Sequence, residues 1–452
     1  SPYGANSTLN FTNSSADIYN VYTITKNIGS ELNTITTTYL QNITDITTIT
    51  NPLNIQSGFV YKFLTTTIDG LDTTTDILVY PQSPSGSPVI NTSLETTLLN
   101  IITRATPNFA WVKELGHKFI EYAKISIEGE QIESHNSNLL HLLHELYDDK
   151  NHERGYNEMI GNTTEMYTIG STQRTTKTLF IPFRFWFCRD DGSALPLVSM
   201  LHADVTLTIK LSDLDDILYI DPEAQFTTKP TFKCTVLADY VYLDEDERYK
   251  MINSKLEYLM ERYMYCNRTQ ISNQTPVFDF SQGTETIDLP ISLLNDPTKF
   301  IIWTASCVNP ATVQSADKIN WQQFGYNVRN SSGSIQTIYP IFDKIKIEFN
   351  GRDREAYKAE TYYTNVTPWS RYMPSISKGE YVYSFAIFPL LLQPSGSANF
   401  CQIENASIKM QPVTSIIQQI TDGTIQIYVE LWGCTYNILR VMSGLAALSF
   451  YS

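Results

Sequence analysis

Apolar and polar positions alternate along much of this chain. Val205, Leu207, Ile209 and Leu211 alternate with Thr206, Thr208 and Lys210. Ile345, Ile347 and Phe349 alternate with Lys344, Lys346 and Glu348, and Ile425, Ile427, Val429 and Leu431 repeat the pattern near the end. Successive side chains on a strand point to opposite faces, so each segment predicts a half-buried antiparallel strand. Residues 181–187 extend the reading: Ile181, Phe183, Phe185 and Phe187 share one face and predict a strand that buries three phenylalanines together. Phe59, Tyr61 and Phe63 show the same period in a Thr- and Asn-rich opening region. There the pattern predicts strands joined by long polar loops, one marked by Pro81, Pro84, Gly86 and Pro88. Residues 115–129 predict a strand that ends in a turn at Glu128-Gly129.

Two segments break the period of two. In residues 138–147, Leu139, Leu142, Leu143 and Leu146 recur at helical spacing, which predicts a short amphipathic helix in a loop between strands. The charged run from Leu243, free of Gly and Pro, predicts a helical linker in which Glu245 can pair with Arg248.

Length and composition sharpen this into an all-β protein of two domains. The chain has 452 residues, too long for one ordinary sandwich and suited to two domains of roughly 200 residues each. Apolar residues make up 42%, enough for a core in each, while the charged fraction is only 17%. We place the domains at residues 1–243 and 257–452, with residues 244–256 as the linker. The net charge is −15, and the 32 Lys and Arg are scattered with no basic arm. Direct contact with nucleic acid is therefore not expected. Six cysteines (Cys188, Cys234, Cys266, Cys307, Cys401 and Cys434) are widely spaced and predict buried free thiols in a reducing compartment. No apolar run is long enough to span a bilayer, and no signal peptide opens the chain.

Candidate chemistry is sparse. His141 and His144, with Glu145, Asp148, Asp149 and His152 nearby, form the best metal candidate. The metalloprotease pattern needs a glutamate beside the first histidine and four-residue spacing, and both are missing, so a solvated helix face is the expectation. Asp190-Asp191-Gly192 reads as a turn, and Asp213, Asp215 and Asp216 as loop charge, although the sequence alone leaves the paired carboxylates of a glycosidase open. No phosphate loop or nucleophile elbow is present. We expect no catalytic residue, no cofactor-binding residue, no metal ligand and no cofactor. Asn-x-Ser/Thr sequons recur from Asn6 to Asn405, as a Thr- and Asn-rich composition produces by chance.

Several segments together resemble the major capsid proteins of nucleocytoplasmic large DNA viruses. They are RGYNEMIGN from Arg154, FRFWFCRDDGSALPLVSMLHADVTLTIKL from Phe183 and ADYVYLDEDERYKM from Ala238. GEYVYSFAIFPLLLQPSGSANFCQIENASIKM from Gly379 and YNILRVMSGLAALSFYS from Tyr436 complete the series, in family order from about Leu115 to Ser452. The first 110 residues do not clearly match, since the family's basic, aromatic opening strand is not found there.

The resemblance implies a double jelly roll: two tandem eight-stranded sandwiches with short helices in loops and linker. It implies homotrimeric, pseudo-sixfold capsomers that tile an icosahedral shell of a large double-stranded DNA virus. Implied partners are further copies, minor capsid and penton proteins and internal membrane proteins. The implied location is the outer capsid of the virion, assembled in the host cytoplasm. Two other readings compete with it: a viral scaffold with the same fold, and a secreted carbohydrate-binding or glycoside-cleaving β-sandwich. The last would carry a signal peptide, disulfides and a cleft.

Overall fold

A computed structural model describes the strand backbones at residues 10–15, 19–28, 31–40, 59–68 and 71–81. It also describes residues 108–147, 151–170, 176–220, 231–272, 286–291, 294–308, 315–329 and 335–450. The chain divides into two compact units: Ser1–Asn108 with Gly170–Gln173, and Phe109–Ile169 with Arg174–Ser452.

The first unit is an antiparallel meander, in sequence order, of β1 (Asn10–Ser15), β2 (Tyr19–Ile28), β3 (Glu31–Leu40), β4 (Phe59–Ile68) and β5 (Leu71–Pro81). The period of two at Phe59 is thus a strand. Residues 34–40 lie in β3, where four threonines and Ile35 suit a pleated strand. The proline-marked positions 84–88 lie outside the described residues.

The second unit opens with β6 (Phe109–Trp111), then β7 (Ile120–Ile127), β8 (Glu130–Asn136), β9 (Val205–Leu211) and β10 (Leu218–Ile220). They form a three-stranded sheet in the order β8-β7-β9 and a pair β10-β6. A second group follows: β11 (Leu256–Ile271), β12 (Ile287–Pro290), β13 (Pro297–Val308), β14 (Gly325–Arg329), β15 (Ile335–Tyr339) and β16 (Phe342–Phe349). The chain ends with β17 (Arg352–Ala359), β18 (Glu380–Ser384), β19 (Ala398–Asn399), β20 (Ala406–Pro412), β21 (Gln426–Met442) and β22 (Leu445–Leu448). These make an eight-stranded sheet along β11-β21-β13-β14-β15, with β18, β19 and β22 attached, facing a four-stranded sheet β12-β20-β16-β17. Three hairpins, β7–β8, β16–β17 and β21–β22, turn on Glu128-Gly129, Asn350-Gly351 and Ser443-Gly444. Both residues of each pair hold positive φ, the twist-matched two-residue turn.

The two facing sheets sandwich an aromatic and aliphatic core around Trp303, Phe342, Tyr363 and Tyr381, with Ile345, Ile347, Ile408, Ile427, Val429 and Leu431. A second core surrounds β7 with Phe185 and Trp186, and reaches Leu439, Val441 and Leu448 at the far ends of β21 and β22. The α-helices longer than four residues among the described residues are α1 (Leu115–Phe119), α2 (Ser137–Tyr147), α3 (Glu153–Met159), α4 (Glu245–Asn253) and α5 (Thr414–Thr421). Helix α2 buries Leu139, Leu142, Leu143 and Leu146 on the outer face of the eight-stranded sheet, against Phe300, Ile302, Trp432 and Cys434. The centre of β21 is therefore buried on both faces rather than one.

Other expectations change in detail. Residues 115–119 form α1 before β7 begins, and residues 181–185 join no ladder, although the chain then makes a single 3₁₀ turn at Trp186–Cys188. Phe185 is buried, but Phe183 and Phe187 are only partly so, and Trp186 from the other phase is buried instead. A segment without ladder bonds is free to twist, and strict alternation fails. Residues 315–329 hold a 3₁₀ turn at Ser315–Asn320 and strand β14. The linker helix is present as α4. All six cysteines are free, but Cys188, Cys234 and Cys401 are exposed, and only Cys266 and Cys434 are buried. No helix among the described residues is long and apolar enough to cross a membrane.

Candidate functional site

The sequence on α2 that suggested a solvated face turns out to be a buried joint. The helix is started by Asn136, whose Oδ1 accepts from the Leu139 N–H at 2.9 Å. Its leucine stripe fixes the rotation on the sheet, and that rotation turns His141 inward, 3% exposed. There Nδ1 lies 2.8 Å from Glu114 Oε2 and Nε2 lies 3.1 Å from Glu380 Oε1. Glu114 precedes α1 in a left-handed conformation (φ 47°), and Glu380 opens β18 with no exposed surface. A non-glycine residue held at positive φ inside a polar cluster marks backbone strain retained by its surroundings. His117 Nδ1 sits 2.8 Å from the same Glu114 oxygen, and its Nε2 sits 2.8 Å from the Tyr156 hydroxyl on α3.

The charges follow from this geometry. Burial alone would raise Glu114, but His141 and His117 outweigh it and hold the carboxyl well below the usual carboxylate range. Burial would lower His141, yet Glu114 and Glu380 overcome it and keep the ring protonated, its basicity well above ordinary. Burial pushes Glu380 up to about 7, with His141 pulling the other way. His117 is lowered by burial, which Glu114 only partly offsets. Both ring nitrogens of His141 thus meet carboxyl groups from two parts of the fold, and the His117 ring bridges Glu114 and Tyr156. Glu114, His117 and His141 have the composition of a metal site, as do His141, Glu145 and Glu380. Here two ring nitrogens each meet one oxygen at hydrogen-bond length, so the donor atoms are spent on one another.

Three more bonds anchor α2 to the second sheet system. Asn138 Nδ2 donates to Glu430 Oε2 at 2.9 Å, and Glu145 accepts from the Ser377 N–H at 3.0 Å and its hydroxyl at 2.8 Å. A parallel network joins β8 to β11 and β21. Arg262 Nη2 donates to Asp296 Oδ2 at 2.7 Å, its Nη1 donates to the Ile132 carbonyl at 3.2 Å, and Asn437 Nδ2 donates to Asp296 at 3.1 Å. Glu133 Oε1 accepts the Tyr263 N–H at 2.9 Å and lies 3.0 Å from His135 Nε2. Lys299 pairs with Glu261, which also binds Arg189 at 3.2 Å.

The remaining candidates scatter. His144 stacks on Tyr156 with ring centroids 4.4 Å apart, His152 is exposed ahead of α3, and Asp148 and Asp149 lie outside the described residues. Asp191 and Gly192 form one 3₁₀ turn, while Asp213, Asp215 and Asp216 are exposed around a short surface helix. Sequence reasoning missed Glu114, His117 and Glu380. They carry no local motif, since Glu114 and Glu380 lie 27 and 239 residues from His141. What these groups do is hold two sheet systems in one relation through buried, directional charge pairs.

Comparison with known proteins bears on that arrangement. Residues 76–244 match the family described as major capsid protein N-terminus, and residues 247–447 match large eukaryotic DNA virus major capsid protein. The major capsid protein of Pyramimonas orientalis virus is 27% identical over 419 residues, covering 87% of this chain and 91% of that protein. That of Paramecium bursaria Chlorella virus 1 is 26% identical, covering 74% and 79%. The PBCV-1 virus capsid model superposes with a TM-score of 0.56 at 20% identity, covering 76% of this chain and 87% of the other. The Faustovirus major capsid protein superposes at 0.56 with 12% identity, covering 90% and 80%. With a double jelly-roll fold and both family regions in tandem, the chain belongs to the major capsid proteins of large eukaryotic DNA viruses and is a structural protein of the virion shell.

Proposed function

We propose that this chain is the repeating tile of an icosahedral shell, acting as a closed homotrimer of pseudo-sixfold outline. Two similar sandwiches per chain give three chains six nearly equivalent sides, and closed rotational symmetry limits growth to a discrete capsomer before lattice contacts begin. The observation that carries the reading is the tandem match of both capsid regions across residues 76–447, on a fold whose two sheet systems are locked by the His141 and Arg262 networks. The domain boundaries at 1–243 and 257–452 are supported by the two matched regions, which meet at 244 and 247, and by α4 between them. The tile works without catalysis or cofactor. Its partners are neighbouring capsomers, minor capsid and penton proteins and internal membrane proteins. A net charge of −15 without a basic arm supports a role that leaves the genome untouched. Assembly in the host cytoplasm is supported by six free cysteines. Light scattering on the purified protein at low micromolar concentration should give three chain masses. A folded monomer there would end the reading.

A further inference from the structure

Two groups of apolar side chains stand in solvent at different places on the second compact unit. The first lies on loops of the C-terminal sandwich: Trp369 is 82% exposed, Tyr372 75% and Leu391 58%, with Val366 and Phe388 beside them in exposure. Tyr372 stacks on Phe388 with ring centroids 5.3 Å apart and holds a φ of 55°. A bulky residue in the left-handed region is strained, and here the strain presents an aromatic pair to water, where it adds little to the fold of one chain. Arg371 stands between Trp369 and Tyr372 in sequence.

The second group surrounds α4. This helix buries none of its nine residues and rests on the 3₁₀ turn at Leu197–Ser199. A helix of that length is short of what persists without packing. Tyr249 on it is 73% exposed. Nearby, the His202 N–H donates to the Gly444 carbonyl at 2.9 Å, which brings exposed Leu201 beside exposed Met442 and Leu445. The helix opens on Glu245, Asp246 and Glu247.

We propose, resting on the trimer reading, that these two surfaces meet between copies: the Trp369 surface of one chain seats on the α4 surface of the next. Each copy carries −15, so association needs apolar burial and local charges of opposite sign. Arg371 on one rim and the acidic first turn of α4 on the other supply that complementarity. Two unlike surfaces on one chain make a head-to-tail contact, the kind that closes into a ring, whereas a self-complementary surface stops at a dimer. Trp and Tyr with an Arg between them are the residue types that dominate binding at such contacts.

Light scattering and circular dichroism on three proteins test this. Trp369→Ala/Leu391→Ser and Tyr249→Ser/Ile252→Ser should each keep the β signal and lose the trimer. Mixed together, each variant still offers one intact surface, so the mixture should form dimers that stop there. A trimeric wild type with variants that stay trimeric, or that stay trimeric but fail to tile into sheets, overturns this contact and leaves the trimer reading standing. A monomeric wild type overturns the trimer reading itself. A measurement independent of disruption is Trp369→Cys/Tyr249→Cys joined by a short bismaleimide. It should give covalent trimers above the wild-type background, and the absence of such products also overturns the contact.

Discussion

Replacing Glu380 by glutamine should flatten part of the pH dependence of stability. Glu380 has no exposed surface, and burial pushes its carboxyl from an ordinary 4.5 to about 7. A folded-state value above the unfolded one means the fold binds the proton more tightly. The associated stability is fully present below 4.5 and is lost as pH rises through 7. A shift of that size corresponds to about 3 kcal/mol. His141 acts with the same sign, since its raised basicity contributes stability below the unfolded value of 6.5 that is lost at higher pH. His117 acts with the opposite sign, because a lowered histidine loses stability as pH falls through the unfolded value. Glu360, also pushed up to about 7 by burial against the pull of Lys378, adds a slope of its own that a change at Glu380 leaves in place.

Glutamine keeps an oxygen for the His141 N–H and carries no charge at any pH. Glu380→Gln should therefore match the wild type near pH 5 and exceed it near pH 8. For a domain of some 200 residues, about 3 kcal/mol is worth roughly 6–12 °C in melting temperature. Calorimetry of both proteins at several values between pH 5 and 8, with Glu360→Gln as a control, reads the difference of slopes. Parallel curves for wild type and Glu380→Gln would refute the reasoning.

Two further outcomes are open to measurement. Phe185 is 1% exposed and stacks on His135 at 4.4 Å, so Phe185→Ala should cost about 3–5 kcal/mol in urea unfolding, while Phe183→Ala and Phe187→Ala cost clearly less; equal losses at all three would restore the one-faced strand. Cys266 and Cys434 are buried with thiols pushed up to about 12, so maleimide should label exposed Cys234 and Cys188 in the native protein and reach the buried pair only on unfolding; native labelling of Cys434 at the rate of Cys234 would contradict the packing.

What the sequence disclosed depended on how far apart the causes lie along the chain. Strands β9, β16 and β21 were legible because alternation is a local record of two unlike faces, and α2 because its leucines fall on one stripe. Alternation reports faces but not partners, and so residues 181–187 carried the pattern without the ladder. Strand β13 sits between the Trp303 core on one side and α2 on the other, and its central run FIIWTA has no polar face to betray it. The polar joint was hidden for a different reason. A histidine on a helix reads as solvated unless something covers the second side, and what covers His141 comes from Glu114 and Glu380, far away in sequence.

That same distance explains why charge serves at the joint where apolar contact would not. Leucines on a sheet tolerate small slips, because contact area changes gradually with displacement. A directional pair does not: parting His141 from Glu380, or Arg189 from Glu261, breaks a short bond between groups held away from water. Such bonds join β8 and α2, early in the second unit, to β11, β18 and β21 of the larger sheet. Sliding one against the other by a single strand position would break several pairs at once. A tile that must present its two sandwiches at one fixed relation to many identical neighbours needs that sharp response to displacement, and buried directional pairs supply it where a purely apolar seam would yield.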